Sequence, residues 1–365
     1  PIGRKMSKSL DNSVDPLDAA AEYGTDALRF TLATGSSPGN DMKLTDERLE
    51  GGRNFANKLW NGARFVIGEI GDEAVPSMSA LPSDQLALED RWILSRAHRL
   101  CQNVDELLTD FQLGEAGRQI NDFLWSEFFD WYVEASKVRL REGDRTPLPV
   151  LAHVLDLGLR LLHPYMPFVT EEIWQQLRNR LPQQDSPIQT EALIAAAYPH
   201  GEATWLDDQA ESEFTVLQDT VRAVRQVRAE RQVEPGLFIE VYVVDSGRTA
   251  GLRERAAVIE SLARARPLQI VDSRSDAPGD QVITQVLDRA EVVLPLGGLV
   301  DLEAERTRLD KEIGEAEDYL RRIQGKLSNE GFRNKAPAAV VQGEEQKARE
   351  TEGRIAALQA ERAQI

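Results

Sequence analysis

A short basic segment near the start of the sequence, GRKMSKSLDN at residues 3–12, carries the residue types best suited to chemistry. It combines three cations with two hydroxyls: Arg4, Lys5, Lys8, Ser7 and Ser9. Cations and small hydroxyl donors beside a glycine, which lets the backbone approach a ligand closely, suit a phosphate or pyrophosphate group. The same composition also fits a solvated basic turn, so composition alone leaves both interpretations open.

A second candidate site is the predicted helical stretch NKLWNGARF at residues 57–65. Its amide, cationic and aromatic groups fall near one another on the helix: Asn57, Lys58, Asn61, Arg64 and Phe65. Single-stranded RNA loops are recognised by aromatic stacking and by hydrogen bonds to base edges, so this mixture suits an RNA loop. Trp60 is expected to pack in the core, whereas packing and RNA contact are both open for Phe65.

Two further groups of cations could contact a phosphate backbone. Arg222, Arg225 and Arg228 recur every three residues on a predicted helix, a pattern that equally fits an exposed face neutralised by acids. The other group lies between residues 321 and 335, a segment that contains five cations and a single acid, Glu330. These cations are Arg321, Arg322, Lys326, Arg333 and Lys335. Such a basic tip can hold an RNA backbone without base recognition.

Composition limits the remaining functions. The net charge of −18 argues, taken alone, against nucleic-acid binding, although the local clusters above can overrule the sum. A single cysteine, Cys101, excludes a disulfide framework and a multi-cysteine zinc site, so we predict no metal site and a reducing compartment. No apolar run approaches the roughly 20 residues that span a bilayer. We therefore predict a cytoplasmic protein that does not enter membranes.

The hydrophobic periodicity predicts the elements that position these residues. A helical period runs from about residue 45 to 180, and one stripe of it comprises Ile93, Ala97, Leu100, Val104, Leu107 and Phe111. The aromatic string FLWSEFFDWYVE is expected to bury Trp125, Phe128 and Trp131. Alternating runs between about 212 and 300 predict short strands, and heptad stripes follow residue 302. The expected fold is mainly α, with a helical bundle, a small α/β subdomain and an antiparallel coiled-coil hairpin.

Four segments carry a family resemblance. They are KMSKS with the following VDPLDAAAEYGTDALRFTLA, NFANKLWNGARF at 54–65, LLHPYMPFVTEEIWQQL at 161–177, and KLSNEGFRNKAP at 326–337. In order and spacing they resemble the class I aminoacyl-tRNA synthetases, and among them the bacterial-type valyl enzymes. The resemblance covers the whole chain. It implies a KMSKS loop with stem-contact helices at 1–44, an anticodon-binding bundle at 45–205, a small α/β subdomain at 206–300 and a coiled-coil tRNA-binding arm at 301–365.

The resemblance also implies roles for the opening loop. In this family the loop closes over ATP, with Mg²⁺, and its lysines stabilise charge on the leaving pyrophosphate, so Lys8 and Lys5 are the expected catalytic residues. Ser7 and Ser9 would bind ATP beside them. Asp11 stands where the family usually has glycine, which could weaken the positive field or stiffen the loop.

The resemblance further implies that the chain is a carboxyl-terminal portion. The family's other ATP motif, its βαβ pattern and its editing domain are not recognisable, so ATP and valine are expected to act through an amino-terminal catalytic domain. The fragment is expected to be inactive alone, monomeric, without a structurally bound cofactor, and to have tRNA(Val) as partner. Arg64 and Phe65 would contact the anticodon, and the basic tip would contact the outer corner of the tRNA.

Two alternatives remain at this point. Isoleucyl and methionyl enzymes resemble the same segments but commonly carry cysteine-based zinc sites, and the leucyl enzyme does not end in this long helical hairpin. An unrelated possibility is a free-standing RNA-binding or scaffold protein without chemistry.

Overall fold

The computed structural model describes residues 6, 13–35, 42–72, 75–76, 78, 81, 85–181, 190–245, 251–295, 297, 302–328 and 338–363. By position in the chain, these residues divide between two compact units. The first unit spans Pro1–Asp219 and Thr249–Leu262, and the second spans Thr220–Arg248 and Ala263–Ile365. The chain therefore leaves the first unit, returns to it for one short segment, and leaves it again.

Helices dominate the first unit, as the periodicity predicts. In chain order they are α1 (Pro16–Tyr23), α2 (Thr25–Thr34), α3 (Asp46–Ile70), α4 (Leu88–Thr109), α5 (Leu113–Asp122), α6 (Glu134–Arg141), α7 (Pro147–Leu162) and α8 (Pro167–Leu177). A π-helical segment, Phe123–Val133, joins α5 to α6 without a break. Two more helices, α9 (Asp208–Glu230) and α10 (Ala256–Ala263), cross the boundary between the units. The predicted mainly α fold is confirmed.

The start and end of α1 follow from local sequence signals. The Asp15 carboxylate caps the helix by accepting a hydrogen bond of 2.7 Å from the backbone N–H of Leu17, and Pro16 occupies the first helical position. Gly24 ends the helix with a φ of 98°, a conformation that glycine adopts without steric cost. The boundary between α1 and α2 therefore follows from residues within one short stretch of the sequence.

Asp26 fastens α2 to the start of α8. Its carboxylate is 8% exposed and accepts hydrogen bonds from the backbone N–H groups of Phe168 (3.2 Å) and Val169 (2.6 Å). These N–H groups belong to the first helical turn, where no carbonyl within the helix can accept from them. Arg29 adds a hydrogen bond of 3.1 Å to the carbonyl of Pro164. The two helices that follow the opening loop are thus attached to the helical bundle.

A glycine lets α3 approach the π-helical segment closely. A β-carbon at Gly62 would lie 2.2 Å from Cε1 of Phe129, so only glycine fits against this ring. The predicted burial of Phe128 and Trp131 is confirmed. Trp125 is only half-buried, so the expectation that it is buried is wrong. It lies at the side of the π-helical segment that faces α3, next to Lys58.

Phe111 does not belong to the core stripe in which the periodicity placed it. Helix α4 ends at Thr109, and Phe111 follows in a turn with a φ of 58° and is 81% exposed. The Gln112 N–H accordingly bonds to the carbonyl of Leu107 and closes the helix end. The periodic pattern continued past the point where the helix stops.

A buried polar network joins four parts of the first unit. Arg139 Nη1 donates to Asp90 at 2.7 and 2.8 Å and to Glu89 at 3.3 Å, and the Tyr132 hydroxyl donates to Asp90 at 2.7 Å. Arg255 lies 2.8 Å from the other oxygen of Glu89. Burial raises the pKa of Asp90, although Arg139 opposes this shift. Buried carboxylates need such partners, because an unpaired buried charge is costly.

The second unit contains a mixed four-stranded sheet. Its strands are β1 (Ile239–Val244), β2 (Ala265–Val271), β3 (Val282–Val286) and β4 (Glu291–Pro295), in the order β2-β1-β4-β3. β1 and β2 are parallel, whereas the other two pairs are antiparallel. All four strands match the alternating runs predicted from the sequence, and a small α/β region is confirmed.

Two long helices, α11 (Leu302–Ser328) and α12 (Ala338–Ala363), pack against each other in the second unit. Asp310 near the start of α11 pairs with Arg362 near the end of α12. Lys326 near the end of α11 lies 3.8 Å from Glu344 early in α12, so the helices run in opposite directions. Apolar residues of the heptad stripes are buried on both helices: Ile313, Ala316, Ile323, Ala348 and Ile355.

Candidate nucleic-acid interface

One face of α3 presents polar and aromatic side chains to solvent. Asn57, Trp60, Asn61 and Arg64 recur at spacings of three and four, so they share this face, and all four are exposed. Trp60 is 38% exposed, which corrects the expectation that it packs in the core. The face therefore combines two amides, an indole and a guanidinium, the groups that bind unstacked bases.

The two remaining predicted residues of α3 lie at the edges of this face and have partners within the protein. Lys58 pairs with Asp130, and its Nζ lies 4.3 Å from the centroid of the Trp125 ring. Phe65 is half-buried, with Nζ of Lys137 lying 4.7 Å from its ring centroid. These contacts orient aromatic rings beside the exposed face, and they reduce the free charge that Lys58 can offer to a ligand.

A groove of about 340 Å³ continues the interface toward α1, α2 and α8. Its lining includes Asn57 together with Tyr23, Arg53 and Phe168. Arg53 lies 5.5 Å from the centroid of the Tyr23 ring, and Phe168 is 64% exposed. These residues could not be grouped from the sequence, because they come from three separate helices. Phe168, which is exposed directly after the proline that opens α8, gives the one hint of a surface role.

The predicted arginine stripe of α9 divides in the structure. Arg222 and Arg225 are exposed, whereas Arg228 is 8% exposed. Arg228 donates to the backbone carbonyls of Leu237 (2.8 Å) and Glu234 (2.9 Å). A guanidinium held in this way supports a loop, so we correct its assignment as an RNA-backbone contact.

The predicted tip cations and loop residues are only partly within the described residues. Arg321, Arg322 and Lys326 are exposed on α11; Arg321 is 2.5 Å from Asp318, and Lys326 pairs with Glu344. The other predicted residues lie outside the described residues: Lys5, Ser7, Lys8, Ser9, Arg333 and Lys335.

No group of three or more His, Cys, Asp or Glu side chains in the described part of the chain could hold a metal ion, and no helix among those residues is long and apolar enough to cross a membrane. Burial raises the pKa of the Cys101 thiol to about 12, so this cysteine is protonated at neutral pH.

His98 and His153 form a buried pair with structural roles. Their Nε2 atoms are 3.5 Å apart, and Nδ1 of His98 accepts a hydrogen bond of 3.1 Å from the backbone N–H of Glu202. Burial, assisted by His153, lowers the pKa of His98 to about 3, and burial with the charge of Arg160 lowers the pKa of His153 to about 4. Both imidazoles are therefore neutral in the folded protein at neutral pH.

We expect this pair to make the protein less stable as the pH falls below 6.5. In that range the unfolded chain binds protons that the folded pair does not, so the free energy of unfolding decreases, by about 3 kcal/mol between pH 7.5 and 5.5 for the two groups together. Urea unfolding of wild type and His98→Gln/His153→Gln across this range tests it. The exposed His200 provides the control His200→Gln, which should keep the wild-type slope. Equal slopes for all three proteins would contradict the prediction.

Three family models match the sequence. Residues 90–243 match the anticodon-binding domain of tRNA ligase. Residues 301–365 match the valyl tRNA synthetase tRNA binding arm, and residues 2–45 match the tRNA synthetases class I (I, L, M and V).

Relatives match nearly the whole chain. A valine-tRNA ligase from Dehalococcoides mccartyi (strain CBDB1) is 46% identical over 344 residues, which cover 94% of this chain and 38% of the relative. Valine-tRNA ligases from Symbiobacterium thermophilum and Geobacillus kaustophilus are 43% and 40% identical over 93% and 94% of the chain. The chain thus spans about 38% of the length of the relatives it matches. A solved chain of the ternary complex of Agrobacterium radiobacter K84 LeuRS, tRNA and LeuAMS has a TM-score of 0.43 and 21% identity, covering 56% of this chain and 23% of that chain.

Proposed function

We propose that this chain is the tRNA-binding portion of a valine-tRNA ligase, since it belongs to the class I aminoacyl-tRNA synthetase family and within it to the valyl-tRNA synthetases. Such an enzyme adenylates valine with ATP and transfers it to tRNA(Val). The observation that carries the proposal is the exposed face of α3, where Trp60 and Arg64 alternate with two amides, Asn57 and Asn61. The molecule is proposed to be a cytoplasmic monomer.

The face of α3 is proposed to bind the anticodon loop. Unstacked bases can pack on Trp60 and on the guanidinium plane of Arg64, while Asn57 and Asn61 can each donate from an NH2 group and accept at a carbonyl oxygen. Phe65 and Lys58 would then act from the edges of the face, where the contacts to Lys137 and Trp125 hold them.

The opening loop is proposed to serve the ATP site of the whole enzyme. Lys8 and Lys5 would stabilise negative charge on the departing pyrophosphate, and Ser7 and Ser9 would donate hydrogen bonds to ATP phosphates, with Mg²⁺ accompanying the nucleotide. The family match over residues 2–45 supports this assignment. The attachment of α2 to the bundle through Asp26 would link the loop that precedes α1 to the RNA-binding bundle.

Helices α11 and α12 are proposed to form a coiled-coil arm that contacts the tRNA backbone. Their antiparallel contact and buried heptad residues support a coiled coil, and the match to a tRNA binding arm supports the role. Arg321, Arg322 and Lys326 would supply phosphate contacts, and Arg333 and Lys335 are proposed to join them. Exposed Arg222 and Arg225 are proposed to add contacts to the tRNA backbone. We also propose that the domains of the chain end at residues 44, 205 and 300.

Binding of this chain to tRNA(Val) transcripts across a salt series tests the proposal. We expect anticodon substitutions and Trp60→Ala each to weaken binding about tenfold, roughly 1.4 kcal/mol. An anticodon substitution changes the base edges that the amides would bind, whereas Trp60→Ala removes a stacking surface. Arg253→Ala, at an exposed position outside α3, should bind as wild type does. Neutralising Arg321, Arg322 and Lys326 should lower affinity and flatten the salt dependence. Binding that ignores both the anticodon and the arm would favour a scaffold function instead.

A further inference from the structure

The groove beside α3 has two aromatic rings in its lining. Phe168, the second residue of α8, is 64% exposed, and Tyr23 at the end of α1 is half-buried. An exposed phenyl ring is unfavourable in water, and a planar group packed against it removes apolar surface from water. The volume of the groove, about 340 Å³, lies at the small end of the range for ligand pockets, about 300–1,000 Å³. The groove therefore fits one planar group of small-molecule size.

The charged residues of the lining differ in depth. Asp26 is 8% exposed, and its carboxylate accepts two backbone N–H groups at the start of α8. Arg53 is more open, with a side chain that is 42% exposed; its Cζ lies 5.5 Å from the centroid of the Tyr23 ring, and Nη2 lies 3.9 Å from Glu50. A phosphate is repelled by the buried carboxylate and attracted by the outer guanidinium. A nucleotide would accordingly place its base inward and its phosphate outward.

Asn57 joins the groove to the exposed face of α3. It lines the groove, and it also lies on that face with Trp60, Asn61 and Arg64. Its exposed amide makes no hydrogen bond within the described part of the chain, so both its donor and its acceptor are available to a ligand. A strand of RNA that lies on α3 can therefore continue directly into the groove.

We propose that the groove binds one unstacked nucleotide of the tRNA, next to those on the α3 face, with its base packed on Phe168 and its phosphate near Arg53. RNA loops are bound through bases that stack on aromatic rings and form hydrogen bonds at their edges. Asn57 supplies an amide for such hydrogen bonds, and each Asp26 oxygen, which accepts one N–H, keeps a lone pair for an amino group of the base. The phenyl ring of a protein partner lacks that edge, so the lining favours a nucleobase. This inference rests on the proposed tRNA-binding function.

Binding of the full chain to anticodon stem-loop RNAs, intact or with one abasic site at each loop position in turn, tests the inference. Phe168→Ala should bind the intact RNA about tenfold more weakly, as for the loss of one stacked base. One abasic position should weaken binding to wild type equally and have no further effect in Phe168→Ala, because the ring and the missing base form a single contact. Phe111→Ala removes a phenyl group that is 81% exposed outside the groove and should bind as wild type does.

Two further variants separate binding from folding. Phe168→Trp keeps a stacking surface and should bind within about twofold of wild type, which a general folding defect at this position would not allow. Arg53→Gln should make the salt dependence of binding shallower by about one unit of slope, as for one lost phosphate contact, whereas Arg53→Lys should keep most of it.

The possible results distinguish this site from the proposed function. If Phe168→Ala binds as wild type does while anticodon substitutions still weaken binding, the proposed function stands and the groove is not an RNA site. If anticodon substitutions have no effect but Phe168 couples to one loop base, the groove site stands and anticodon recognition by α3 falls. A loss in Phe168→Ala that adds to every abasic substitution would overturn the base contact. Free AMP that binds through Phe168, with RNA binding that does not depend on this residue, would overturn the assignment to RNA.

Discussion

Replacing Arg139 with methionine is expected to lower the free energy of unfolding by about 3–5 kcal/mol. The change keeps most of the apolar volume but leaves the buried carboxylate of Asp90 without its guanidinium partner, while buried Glu89 keeps only Arg255. Urea unfolding followed by circular dichroism measures the loss. Because burial already raises the pKa of Asp90, its carboxyl should take a proton in the variant, and the loss should be smaller at pH 5 than at pH 8.

Two further variants serve as comparisons for this measurement. Arg141→Met changes an exposed arginine on the same helix and should cost no more than about 0.5 kcal/mol. Arg139→Met combined with Asp90→Asn should cost less than the two single changes added together, since the second change removes the stranded charge. A loss for Arg139→Met no larger than that of Arg141→Met would show that the network does not stabilise the bundle.

Replacing Asp26 with alanine is expected to cost about 2 kcal/mol, the second largest effect. The carboxylate accepts two backbone hydrogen bonds at the first turn of α8, and hydrogen bonds to charged groups contribute more than neutral ones. Denaturant unfolding measures the loss, and amide hydrogen exchange at Phe168 and Val169 locates it. Asp26→Asn keeps one acceptor oxygen and should lose about half as much.

The matched control for this change is Asp18→Ala, which removes an exposed acid from α1. It should leave stability and the exchange of the α8 amides unchanged. Unaltered exchange at Val169 in Asp26→Ala would mean that the contact between α2 and α8 does not hold the helix start in solution.

Local features of this fold could be predicted from the sequence. The ends of α1 follow from Asp15, Pro16 and Gly24, because a cap, a first-turn proline and a left-handed glycine act within a few residues. The strands follow from the alternation of apolar and polar residues, which is also a signal within a few residues. Mainly helical character and the presence of a small sheet needed no long-range information.

Features that depend on packing between distant residues could not be predicted. Trp60 has the spacing of a core residue, yet the neighbouring helices leave it exposed. Phe111 is exposed because α4 ends before it, although the apolar period continues. Arg228 shares its spacing with Arg222 and Arg225, yet the loop that follows α9 folds back over it and supplies its acceptors. Periodicity describes one helix at a time, whereas exposure is decided by several.

The α3 site likewise combines local features that could be predicted with long-range features that could not. Its residue types identified the helix, because amides, a cation and aromatics within nine residues are unusual for a solvated face. The groove partners Tyr23 and Phe168 were beyond such reasoning, since 145 residues separate them. The contacts of Asp26 and Arg29 with the start of α8 help to bring these two residues together.

The short return of the chain to the first unit bears on how this protein could be rearranged by recombination. Residues 249–262 bring Arg255 to Glu89, so the helical bundle is completed by a segment encoded after the first strand of the sheet. A single crossover between homologous genes anywhere from residue 220 to 248 would join one parent's Glu89 to the other parent's Arg255 segment. Chimeras that exchange the sheet and arm as a module therefore need three crossovers, with the return segment inherited together with the bundle.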